Sequence, residues 1–220
     1  MGILSKRAAK YYFLHGLKLS AVSIGSIVSI GSILCAGFVW ILSMFGVDDW
    51  NERVIRMVLQ FMFYMVPFLN LCYSMYSPGW YDSLTLSMGA RRKDIFYGNI
   101  VRQSVFIFAN ALFFCLFVLI SGQTSFIVQV LPLVCISFLS GAFGLYMGHK
   151  VKKHGRVILF LATLVFVILF NVTSILVLIN DRFMAIFNAY KPFMTVGAVI
   201  LFVILEVFVY RVNKKSMVVL

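Results

Sequence analysis

Long apolar runs alternate with short polar gaps along the chain, at about 19–46, 54–77, 100–121, 126–148, 157–179 and 192–210. Each run, as a helix rising about 1.5 Å per residue, can cross a hydrocarbon layer of about 30 Å. The pattern predicts an all-α membrane domain of six spans over 19–220, preceded by an interfacial amphipathic helix over 1–18. In that leading segment Lys6, Arg7, Lys10 and Lys18 interleave with Tyr11, Tyr12, Phe13, Leu14 and Leu17, a combination suited to headgroup depth. Pro78-Gly79 signals a turn at the end of the second run. The stretch Tyr81 to Asn99, YDSLTLSMGARRKDIFYGN, is the most polar interruption and holds the basic triplet Arg91-Arg92-Lys93 followed by Asp94. It predicts a short amphipathic helix over about 80–88, a break at Gly89, where a left-handed backbone is easiest, and a new helix entering the membrane. Between the fifth and sixth runs, residues 180–191 mix polar groups with Phe183, Met184, Ile186 and Phe187; they predict short re-entrant turns of helix dipping into the outer leaflet.

Composition supports that class: 62% of residues are hydrophobic, 12% are charged, and mean hydropathy is +1.01. Soluble domains carry about 25% charged residues. The net charge of +12 does not point to nucleic acid, because the basic residues lie in the gaps between apolar runs and form no continuous patch. Of the 19 Lys and Arg, only Arg53, Arg56, Arg182 and Lys191 fall on one face of a six-span arrangement. The others share the opposite face, which places both termini and the 81–99 stretch in the cytoplasm. No cleavable leader is expected at the basic N-terminus. Cys35, Cys72, Cys115 and Cys135 sit within apolar runs with no CxxC spacing, as small buried hydrophobes do.

Small residues mark two close-packing faces, Ala21/Gly25/Ser29/Gly37 and Gly141/Gly144/Gly148. Asn70, Ser74, Asn171, Thr173 and Ser174 are polar positions inside runs, able to bond between helices or to face a pathway. Glu206 is the lone acid of the last run; its place one turn from Tyr210 and Arg211 favours pairing at the cytoplasmic end over a proton relay. The chain has no GxxxxGK[ST] loop, HExxH or GxSxG motif. No catalytic, cofactor-binding or metal site is expected, and His149 and His154 read as solvated or headgroup-facing.

The run Leu86-Ser-Met-Gly-Ala-Arg-Arg-Lys-Asp-Ile-Phe-Tyr-Gly-Asn99 resembles the cytoplasmic coupling segment of ABC-2 type transporter permease subunits. The matching positions are Leu86, Ser87, Gly89, Arg92, Lys93, Phe96, Gly98 and Asn99; Arg91 stands where Thr or Ser is frequent. The resemblance implies a bacterial plasma-membrane permease that pairs with a second, identical or paralogous permease. It would recruit two separate ATPase subunits, which would bind the ATP and Mg. It further implies an ATPase-coupling element made of Trp80, Tyr81, Asp82, Leu84, Leu86, Ser87, Met88, Gly89, Arg91, Arg92, Lys93 and Asp94. A pathway lined by the second and fifth spans would then involve Asn70, Ser74, Asn171 and Ser174. The Phe-rich spans, with no large outer domain between them, suggest export of a hydrophobic peptide, toxin or bacteriocin, with a drug or lipid next. The alternatives are a stand-alone secondary transporter or channel, or a bacteriocin-immunity membrane protein.

The topology is directly testable. A single cysteine introduced by Lys93→Cys should escape an impermeant thiol reagent applied outside intact cells and react once the cells are opened. Labelling in intact cells would reverse the orientation.

Overall fold

The computed structural model describes residues 3–44, 50–87, 89–154, 157 and 181–215. Over these it is helical, in the order α1 (Ile3–Met44), α2 (Trp50–Ser87), α3 (Arg92–Ile120), a 3-10 segment (Thr124–Gln129), α4 (Val130–His154) and α5 (Asp181–Lys215). Five helices are long and apolar enough to cross a membrane: Lys6–Ile33, Val54–Ser87, Arg92–Ile120, Thr124–Val151 and Thr195–Lys214. Helices are what such a chain must form, since a hydrocarbon solvent offers no partner for a bare N–H or C=O. The expected fifth span, with Asn171, Thr173 and Ser174, lies outside the described residues, as does Met88.

Three boundaries differ from the sequence pattern. Helix α1 continues from the amphipathic segment into the first apolar run with no break near residue 18. Helix α2 runs through Pro78-Gly79 to Ser87, so the short helix expected over 80–88 is instead the last turns of the second span. The 181–191 stretch is continuous with the last span through Pro192, and no separate re-entrant helix is formed there. The helix around Pro78 is braced from a neighbouring helix. A proline removes the N–H that the carbonyl four residues back would accept, but neighbouring helices can fill the gap. Here the Arg102 guanidinium donates to the Tyr73 carbonyl at 3.1 Å and lies 3.2 Å from Ser74 Oγ, beside the missing bond.

Helix α2 packs most extensively on α4, α1 on α3, and α4 on α5. The apolar core lies between α2 and α3 and is built on Leu59, Met62, Val66, Phe106, Ile107 and Phe114, with Ile27 of α1 and Leu133 of α4 closing it. The Gly141/Gly144/Gly148 face is where α4 meets α2. A Cβ on Gly144 would stand 2.5 Å from the Leu71 carbonyl oxygen, and one on Gly148 would overlap the Met75 carbonyl. The other stripe behaves differently: Ala21, Gly25, Ser29 and Gly37 of α1 are exposed, and nothing lies within 4 Å of a Cβ on Gly25 or Gly37.

That contrast sets an expectation. Gly144→Ala should cost about 1–3 kcal/mol through overpacking, whereas Gly25→Ala should be neutral or stabilise by up to about 1 kcal/mol through helix propensity. Thermal unfolding of the detergent-solubilised chain reads both; equal losses at the two glycines would contradict the packing described.

Candidate functional site at the joint of helices two and three

The polar stretch is a stiff joint. Its first half ends in a helix-terminating turn: the Gly89 N–H donates to the Leu86 carbonyl at 2.9 Å, and the Ala90 N–H donates to the Thr85 carbonyl at 3.1 Å. This is the paired bonding of a Schellman motif, with Gly89 in the required left-handed region at φ +85°. Arg91 is extended and caps α3. Its N–H donates to Asp94 Oδ2 at 3.1 Å, while its carbonyl accepts from the Asp94 N–H at 2.9 Å. Each helix end is thus partly capped within a short connection.

One face of the α2 end is buried in a polar cluster. Three donors converge on Asp82 Oδ1: the Tyr12 hydroxyl at 2.9 Å, Asn99 Nδ2 at 3.0 Å and the Ser77 hydroxyl at 3.2 Å. Ser77 is nearer still to Asn99 Oδ1, at 2.7 Å, and the Tyr12 hydroxyl lies 3.1 Å from Thr85 Oγ1. Tyr12, Ser77, Asp82, Thr85 and Asn99 are all buried. Three residues beyond Asn99 on α3, Arg102 is 1% exposed, with its guanidinium on the Tyr73 carbonyl and Ser74 Oγ. Two glycines let the helices approach: a Cβ on Gly98 would run into the Tyr12 ring, and one on Gly16 would stand 2.9 Å from the Arg102 carbonyl oxygen.

The opposite face is exposed among the described residues. Tyr76, Trp80 and Leu84 recur at every fourth position of α2 and are 50%, 74% and 47% exposed. Tyr81 sits between the two faces, its ring centroid 4.0 Å from that of His15. Leu86 and Asp94 are half-buried; Ser87, Gly89, Arg91, Arg92 and Lys93 are exposed. The basic triplet turns toward the end of α5. Arg92 Nη1 donates to the Lys214 carbonyl at 2.6 Å, and Asn213 Nδ2 donates to the Arg92 carbonyl at 3.1 Å. Phe96 and Tyr210 meet edge-on, 5.2 Å between centroids.

The positions considered for a pathway separate. Asn70 Nδ2 donates to the Ser137 carbonyl of α4 at 2.7 Å, and Ser74 lies against Arg102, so both take part in helix packing. Asn171 and Ser174 fall outside the described residues. Among the described residues both carboxylate oxygens of Glu206 are buried and have no hydrogen-bond partner.

Arg102 and Tyr12 were not legible as members of this site. Beginning the third span near residue 100 makes Arg102 a loop charge, but α3 starts at Arg92 and carries it nearly three turns into the bundle. The available signal was the stripe Asn99, Gln103, Phe106 and Asn110, whose helical spacing puts amides on one buried face. Tyr12 was assigned to headgroup depth with its aromatic neighbours, whereas its ring is fully buried. No family model matches the chain, and no curated protein or solved structure matches it either.

The cluster makes a thermodynamic prediction. Tyr12→Phe removes one donor and should cost about 0.6–1.7 kcal/mol, the range for hydrogen bonds between membrane helices. Asp82→Asn removes the charge that these donors stabilise and should cost more, about 1.5–3 kcal/mol. In a double-mutant cycle of Asp82→Asn with Arg102→Gln, followed by thermal unfolding, the double variant should lose less than the sum of the single losses. Strict additivity would show that the two charges do not act together.

Proposed function

We propose that this chain is the permease subunit of an ATP-driven exporter of the ABC-2 type, non-catalytic itself and driven by two copies of a separate ATPase that bind the ATP and Mg. The observation that carries the reading is the two-sided α2 end: one face locked to α1 and α3 through Asp82, the other leaving Tyr76, Trp80 and Leu84 about half or more exposed among the described residues. A partner gripping the exposed face would move the tied helices as one body, a rigid switching mode. Trp80 is the natural anchor, since large aromatics dominate contact energetics. In this reading the joint lies in the cytoplasm, a second permease completes the pathway, and the cargo is a hydrophobic or amphipathic peptide, with a drug or lipid next.

A second reading, a stand-alone proton-coupled transporter, rests on the buried Glu206 carboxylate without a partner among the described residues. The two readings separate on one experiment. Trp80→Ala with Leu84→Asp should weaken co-purification with the ATPase that this reading requires by about 2 kcal/mol, near thirtyfold, and abolish export. Thermal stability of the chain should change little, because both side chains are exposed among the described residues. Full association and export in that double variant would sink the coupling reading, and loss of transport on Glu206→Gln alone would favour the second.

A further inference from the structure

A separate feature lies where the joint meets the last helix. A cleft of about 340 Å³ opens between the first turn of α3 and the last turns of α5, lined by Arg91, Arg92, Lys93, Tyr210, Asn213 and Lys214. Four of these six side chains are cationic, one is a phenol and one an amide. The acid of that turn, Asp94, accepts the Arg91 N–H. Four like charges around one opening repel one another, and an anion seated among them relieves that repulsion.

Backbone groups favour the same charge. The first turn of α3 brings the positive end of a 29-residue helix to the cleft. The last turn of α5 would bring carbonyl oxygens that repel an anion, but the Lys214 carbonyl is covered by Arg92 Nη1 at 2.6 Å. That bond takes one of the five N–H donors of the guanidinium and leaves others in the same planar fork, whose geometry matches a phosphate. The Asn213 amide, donating to the Arg92 carbonyl, fixes the two helix ends against each other so that the cations are gathered beforehand.

We propose that this cleft binds the phosphate headgroup of an anionic phospholipid. The membrane is the source because of what surrounds the cations. Both helices forming the cleft are apolar enough to span a bilayer, and Tyr97 and Tyr210 are exposed beside it, 58% and 36%, as aromatics are at headgroup depth. Toward the middle of α5 the exposed residues become Val203, Ile204, Val207 and Phe208, an apolar wall along which an acyl chain can lie. Basic pockets between helix ends at a membrane surface are suited to such headgroups. The cleft shares Arg91, Arg92 and Lys93 with the coupling element that the resemblance implies, but not Tyr76, Trp80 or Leu84, and lipid binding by the isolated chain is read without any ATPase present.

The test is lipid retention by the purified full chain in neutral detergent, offered phosphatidylglycerol and phosphatidylcholine together and read by native mass spectrometry. The wild-type chain should hold phosphatidylglycerol at least tenfold better. Arg91→Gln, Lys93→Gln and Lys214→Gln combined should erase the preference; these side chains are exposed, so the fold is kept. Lys93→Arg with Lys214→Arg should retain it. Lys6→Gln with Lys10→Gln, equally exposed but distant in sequence from the cleft, should also retain it. An unchanged preference in the triple variant, or an equal loss in the Lys6/Lys10 control, would overturn the proposal. So would displacement of the lipid by millimolar inorganic phosphate, which would make free phosphate the ligand.

Discussion

The arrangement at the polar end of this molecule depends on one buried carboxylate. Asp82 Oδ1 gathers a phenol from α1, a hydroxyl from its own helix and an amide from α3, and so converts three separately inserted helices into one unit. A buried carboxylate is costly unless it is both hydrogen-bonded and offset by charge. The chain meets the first condition with Tyr12 and Asn99 and with a share of the Ser77 proton, which also reaches Asn99 Oδ1; the buried cation Arg102 lies three residues beyond Asn99 on α3. Because every member of the set compensates for another, the cluster resists piecemeal change; a half-satisfied polar network is worse than an apolar one.

The joint converts that local tie into a mechanical property. Gly89 and Arg91 end one helix and start the next with their terminal groups partly capped, so the connection has little slack. The reciprocal bonds between Arg92 and the Lys214 and Asn213 pair extend the unit to α5. The glycine face of α4 holds α2 from behind at near-backbone distance. What remains exposed on the α2 end, among the described residues, is its Tyr76, Trp80 and Leu84 face.

Much of this was legible in the residues, for reasons that also explain the rest. Runs of apolar residues report helices long enough to cross a membrane, and five stand among the described residues. Gly89 was visible as a break because only glycine takes φ +85° at little cost, and Gly141, Gly144 and Gly148 were visible as a packing face by their spacing. Pro78 misled because a proline inside a membrane helix need not end it, and the Arg102 guanidinium that braces the adjoining turn at Tyr73 comes from a different helix. Tyr12 misled because a tyrosine near lysines is the signature of an interfacial residue and equally of one that hydrogen-bonds a buried acid. The stripe at Ala21 and Gly25 obeys the packing rule but meets nothing in this chain.

The Tyr12 contact has a consequence for biogenesis. Tyr12 and Asp82 are separated by 70 residues, so at a synthesis rate of about 5–20 residues per second the phenol emerges several seconds before the carboxylate that accepts from it. Asn99 and the glycine that receives the tyrosine ring come later still. The first helix therefore cannot take its final seat as it leaves the ribosome and must hold a provisional one until α3 has been made. Its basic, aromatic leading segment is the part of the chain best able to wait at a wet membrane surface in the meantime.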